Sequence, residues 1–150
     1  MKKFFAVLMV VLTVFVFSFS GCASNRLKLD YGTKYIKADQ VSEKEDEQTY
    51  YLFNKNGYGN YHYYNRYYSS YEGVHKVTAY TITFKYEFIE SESTVFCFFD
   101  SAKNEGDDVV VVNSNWTATL LVTDFVLMGT SNAFYINEEY AEKELPNFDK

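Results

Sequence analysis

Ile82-Thr83-Phe84-Lys85-Tyr86-Glu87-Phe88 alternates a large apolar side chain with a polar one at every step. Successive side chains of a strand point to opposite faces, so this stretch has one dry face and one wet face. Residues 77–90 are therefore predicted as a strand, ended by the polar turn Glu90-Ser91-Glu92-Ser93. Upstream, Phe53-Asn54-Lys55-Asn56-Gly57-Tyr58-Gly59 places Asn-Gly between aromatic runs, the strongest short-range signal for a hairpin. It joins a strand at 49–54 to a returning strand at 60–68.

Working outward, residues 32–36 read as a first strand, and 38–48 as an acidic, solvated loop with a helical turn from Ser42. On the returning strand, Tyr61, Tyr63, Asn65 and Tyr67 share one side, and His62, Tyr64, Arg66 and Tyr68 the other. Both sides carry tyrosine, and the pattern leaves open which faces inward. Residues 94–99 return from the Glu90 turn as an apolar strand. A polar connection follows at 101–114, with a short strand at 109–112 as an option. Strands at 116–122, 125–128 and 133–136 are separated by turns near Asp124 and Ser131, and the tail makes one helical turn before Pro146.

Aromatic residues are 20% of the chain, with 15 Tyr and 14 Phe, and there is one Pro. These residues suit a pleated, half-buried surface. The fold class is all-β: a small antiparallel up-and-down β-barrel of about eight strands, with a sandwich as the alternative. The succession of hairpins favours the barrel, and the cysteine pair of immunoglobulin-like sandwiches is missing.

The N-terminus is an address. Lys2 and Lys3 precede a nearly unbroken apolar run, which ends at Phe19-Ser20-Gly21-Cys22. A positive start, an apolar stretch and small residues at a cleavage point make a secretory signal peptide. The final four residues resemble a bacterial lipobox, with cleavage between Gly21 and Cys22 and lipidation of Cys22. That divides the chain into a signal peptide at 1–21, a lipidated cysteine and tether at 22–31, and one barrel domain at 32–150. The resemblance implies a diacylglycerol thioether and an amide-linked acyl chain such as palmitate on Cys22. Two or three acyl chains anchor a protein stably where one does not. The chain is then a lipoprotein of the cell membrane or outer envelope, on the extracytoplasmic side.

The mature region also resembles bacterial lipocalin-like lipoproteins, small calycin-type barrels behind a lipidated cysteine. The resemblance is carried by the 53–59 hairpin, by Ile82-Thr83-Phe84-Lys85-Tyr86, and by the closing Phe134-Tyr135-Ile136, and it spans roughly residues 30–140. It implies a binding protein that holds a small apolar ligand or a protein partner without catalysis. The alternative is a structural, interaction or inhibitor module whose barrel is filled by its own side chains.

The net charge is −6, and removing Lys2 and Lys3 with the leader makes it −8. A surface of that sign repels phosphates, so nucleic acid is an unsuitable partner. Catalytic motifs are missing from the sequence: there is no Gly-x-Ser-x-Gly elbow and no phosphate loop. His62 and His75 have no ligand spacing for a metal. Asp100, Glu105, Asp107 and Asp108 bear the oxygen ligands calcium takes, but not in EF-hand order. Neither a cofactor nor a metal is expected. Cys97, inside an apolar run, reads as a small buried hydrophobe. Tyrosine remains as the binding residue, since its ring offers area at low entropy cost and its hydroxyl a hydrogen bond. The candidate ligand-binding residues are Tyr61, Tyr63, Tyr67 and Tyr86.

Overall fold

The computed structural model describes residues 28–41, 46–113, 115–130 and 132–144. The leader, the Gly21–Cys22 cleavage point and the helical turn expected at Ser42 lie outside the described residues.

The chain forms eight antiparallel strands: β1 (Lys34–Lys37), β2 (Glu47–Phe53), β3 (Tyr58–Ser69), β4 (Val74–Ile89), β5 (Thr94–Asn104), β6 (Thr117–Val122), β7 (Val126–Gly129) and β8 (Phe134–Asn137). Each strand pairs with the next, and β1 pairs with β8, so the sheet closes into an up-and-down barrel. This is the all-β barrel read from the sequence, consistent with a lipocalin-like fold. A short 3-10 helix (Ala38–Gln40) follows β1, and the helix α1 (Glu138–Glu144) follows β8.

Alternation sets the interior. In β4, Ile82 and Phe84 are buried inside while Lys85 and Glu87 are exposed. The register carries that phase around the barrel, through Phe84 opposite Phe99, Tyr86 opposite Cys97, and Ile82 opposite Tyr61. It also settles β3. Tyr61 lies opposite Tyr51 and Tyr63 opposite Thr49, both buried, so Tyr61 and Tyr63 face inward and His62 and Tyr64 outward. At Gly57 the φ of +81° supplies the left-handed residue of the β2–β3 turn, and the Asn56 side chain accepts the Tyr58 N–H at 3.1 Å. Gly59 answers a different demand: a Cβ there would stand 2.3 Å from Phe84, whose ring crosses that position.

Two strands outrun their expected lengths. β4 begins at Val74 and β5 continues to Asn104, past a register shift at Thr83/Phe84 that leaves Asp100 as the extra residue of a bulge. Residues 109–112 form no strand. Their connection is instead pinned to β4 by the Glu105 and Gly106 N–H groups on the Ala79 carbonyl and by the Asp107 N–H on that of Val77.

The barrel has two unlike ends. At the end where β1 begins and β8 finishes, the interior is packed solid with Tyr35, Phe53, Phe84, Val95 and Leu127, all fully buried. Residues 28–33 run across this floor. The sequence reading assigned 22–31 to a tether, yet Leu29 has 0% exposure and belongs to the same apolar cluster. The Asp30 N–H donates to the Tyr35 hydroxyl at 3.0 Å, and the Gly32 N–H to the Phe53 carbonyl at 2.9 Å. A second apolar cluster sits outside the barrel, where Val126 and Ile136 meet Ala141 of α1.

Truncating a fully buried leucine removes its transfer free energy and leaves a void, costing about 2–5 kcal/mol. Leu29→Ala is therefore expected to lower unfolding free energy by that amount in urea titration. Val111→Ala, at a side chain 70% exposed, is expected to change it by less than about 0.5 kcal/mol. Equal effects would mean that residues 28–33 do not belong to the core.

Candidate functional site

The opposite end is the mouth, and its inner wall is tyrosine. Tyr51 occupies the centre, its ring 4.8 Å from that of Tyr61 and 4.9 Å from that of Tyr135. Tyr63 stacks on Tyr80 at 5.1 Å nearer the rim, and Phe99 closes the ring system against Tyr61 at 6.1 Å. Each position follows from strand phase, because Tyr80 is two residues before the inward Ile82, and Tyr51 two before the inward Phe53. The hydroxyls of Tyr61 and Tyr135 interact across the lumen.

Burial governs the chemistry of these phenols. It pushes the Tyr51 and Tyr61 hydroxyls far above the ordinary value, with further help from neighbouring tyrosines. Tyr80 and Tyr135 move the same way, again chiefly by burial. The mouth therefore presents neutral phenols, able to donate and accept hydrogen bonds but not to act as phenolate nucleophiles at neutral pH.

Three rim groups stand beside the rings. Lys37 lies opposite Tyr135 in the β1–β8 pairing, and its Nζ is 3.3 Å from Asp39 Oδ2. Asp39 and Gln40 lie in the 3-10 helix that follows β1. Asp39 Oδ1 and Gln40 Oε1 are buried without a hydrogen-bond partner.

The four tyrosines read from the sequence fall into three places. Tyr61 and Tyr63 are at the mouth. Tyr67 lies beyond the barrel wall on the overhanging β3–β4 hairpin, where its hydroxyl donates to Asp108 at 3.3 Å. Tyr86 is at the floor, its hydroxyl donating to the Asn54 carbonyl at 2.6 Å, and burial raises its pKa to about 12. The sequence reading missed Tyr51, Tyr80 and Tyr135, although their in-phase spacing from Phe53, Ile82 and Ala133 carried the signal. It also took Asp39 and Gln40 for part of a solvated loop.

Other candidates are occupied elsewhere. Glu105 pairs with Lys103 at 2.7 Å, Asp107 accepts the Val77 N–H at 2.8 Å, and Asp108 accepts the Thr78 and Tyr67 hydroxyls. Among the described residues no three His, Cys, Asp or Glu side chains gather as metal ligands. His62 faces outward, bonded to Thr81 and stacked on Tyr50, and burial lowers its pKa. Cys97 is buried in the wall, and burial pushes its thiol up to about 12. No protein-family model, curated protein or solved structure matches this chain.

The raised tyrosines link stability to pH. In the folded state these phenols hold their protons to higher pH than in the unfolded chain, whose tyrosines titrate near 10. Their contribution is fully present below about pH 10 and is lost as pH rises further. Tyr35 and Tyr86, both raised to about 12, bound the first part of that window. Tyrosinate absorbance at 295 nm is expected to rise in two phases: exposed tyrosines such as Tyr71 near pH 10, the interior ones only with unfolding. A single phase at pH 10 with the fold retained would contradict the buried mouth.

Proposed function

We propose that this protein is a lipid-anchored binding protein of the cell envelope that holds a small, largely apolar ligand in the barrel mouth and performs no catalysis. The observation that carries the reading is the asymmetry of the interior. The floor is filled by the chain's own side chains, whereas the half-buried rings of Tyr61, Tyr63 and Tyr80 offer stacking area beside hydroxyls that fix orientation. Membrane attachment rests on Cys22 and the leader before it. No helix among the described residues is long and apolar enough to cross a membrane.

An anchor at Cys22 would also orient the barrel. Six residue steps lead from Cys22 to Lys28, a reach of at most about 20 Å. Because residues 28–33 cross the floor, the floor would face the membrane and the mouth would open away from it.

A second reading, a protein-binding module, is favoured by the β3–β4 hairpin. Its overhanging tip exposes Tyr68, Val74 and, at 97%, Tyr71.

Two measurements test the proposal. Cys22→Ala is expected to abolish acyl labelling and leave the precursor uncleaved; unchanged labelling would refute the anchor. Native mass spectrometry of the protein isolated from its own envelope without denaturant is expected to show a reproducible extra mass below about 1 kDa, beyond the acyl chains, the scale of a ligand that a single barrel encloses. A bare mass with a protein recovered by crosslinking would overturn the small-ligand reading in favour of the second.

A further inference from the structure

Resting on that small-ligand reading, we infer that the mouth selects a ligand bearing a protonated amine on a ring-sized apolar body. The inference starts from two oxygens. Gln40 has 9% exposure, and its Oε1 has no partner; Asp39 Oδ1 is likewise buried and unmet, although Asp39 Oδ2 has Lys37 beside it. Buried polar atoms are paired in nearly all native proteins, and an unmet one is costly. Both orphans are acceptors, so the group missing from the rim is a donor.

Their direction follows from the helix that carries them. A 3-10 helix repeats every three residues, which puts Ala38 and Val41 on one side. Both pack on the cluster outside the barrel. Asp39 and Gln40 therefore turn away from that outer cluster, and the Asp39 charge acts on the Tyr135 hydroxyl inside the mouth. The donor's place is between these acceptors and the tyrosine rings.

The rings narrow the chemistry further. The faces of Tyr61, Tyr63 and Tyr80 carry the negative side of the aromatic quadrupole, which attracts a cation and stacks a flat apolar body. An anionic head would meet the Asp39 carboxylate and the Gln40 carbonyl oxygen. Lys37 already pairs with one oxygen of Asp39, so the ligand's head must donate to the other oxygen rather than replace the lysine.

The test uses three probes of one shape: tryptamine, 3-ethylindole and indole-3-propionate. Each is titrated calorimetrically into the full acylated protein in phosphatidylcholine nanodiscs, with empty nanodiscs as the blank. Tryptamine is expected to bind at least about tenfold more tightly than 3-ethylindole, with indole-3-propionate weakest. In the Asp39→Asn, Gln40→Met double variant the amine's advantage is expected to fall below about threefold. If that variant does not fold, Gln40→Met alone and the wild-type ranking carry the test. Equal affinity of tryptamine and 3-ethylindole would overturn the amine preference and leave the binding mouth standing. Failure of all three to bind would overturn both.

Discussion

The closing pair of strands is short, and the barrel depends on it. Only Tyr35–Asn137, Ile36–Ile136 and Lys37–Tyr135 join β1 to β8. Without them the sheet has two open edges and an exposed apolar face. One residue braces the seam from several directions. The Asn137 Oδ1 accepts the Glu139 and Tyr140 N–H groups at 3.0 and 3.3 Å and so caps α1. Its Nδ2 donates to Asp30 at 3.0 Å and so holds the strap that crosses the floor. Outside, α1 lays Ala141 over Val126 and Ile136, covering the face of the sheet where the seam runs.

Closure then dictates how the interior is used. A barrel of this strand number is just wide enough to be filled by side chains or to hold one small ligand. This chain does both, at different ends. The edge-to-face contacts among Tyr35, Phe53, Phe84 and Tyr86, with centroids 5.2–6.4 Å apart, fill the floor. Leu29 seals it. Toward the mouth the lining changes from phenylalanine to tyrosine, and polar atoms from the segment after β1 join it. Whatever enters must do so there.

Much of the fold was legible because strand phase is a local property. The β4 alternation gave its own inner face, and the hairpin signals gave the neighbour order. What was hidden depended on pairing. Tyrosine on both sides of β3 could be sorted only once Thr49 and Tyr51 stood opposite Tyr63 and Tyr61. β5 was read too short because Asp100, a charge in the middle of the strand, sits at a bulge where no inward position is demanded of it. Leu29 was read as tether because a single leucine among Lys28, Asp30 and polar neighbours has little weight, although Leu27, Leu29 and Tyr31 keep a period of two. Asp39 and Gln40 were read as solvated because nothing in an acidic stretch announces that two of its oxygens become buried.

The account turns on one claim: the segment before the first strand seals the floor, leaving the mouth as the way in. Site-resolved amide hydrogen exchange of the folded protein tests it most directly, because the seal has its own hydrogen bonds. The amides of Asp30 and Gly32, held by Tyr35 and Phe53, are expected to exchange as slowly as those of Phe84 and Cys97 in the barrel wall, opening only with global unfolding. Exchange of Asp30 and Gly32 at the rate of an unstructured chain, with the wall still protected, would contradict it.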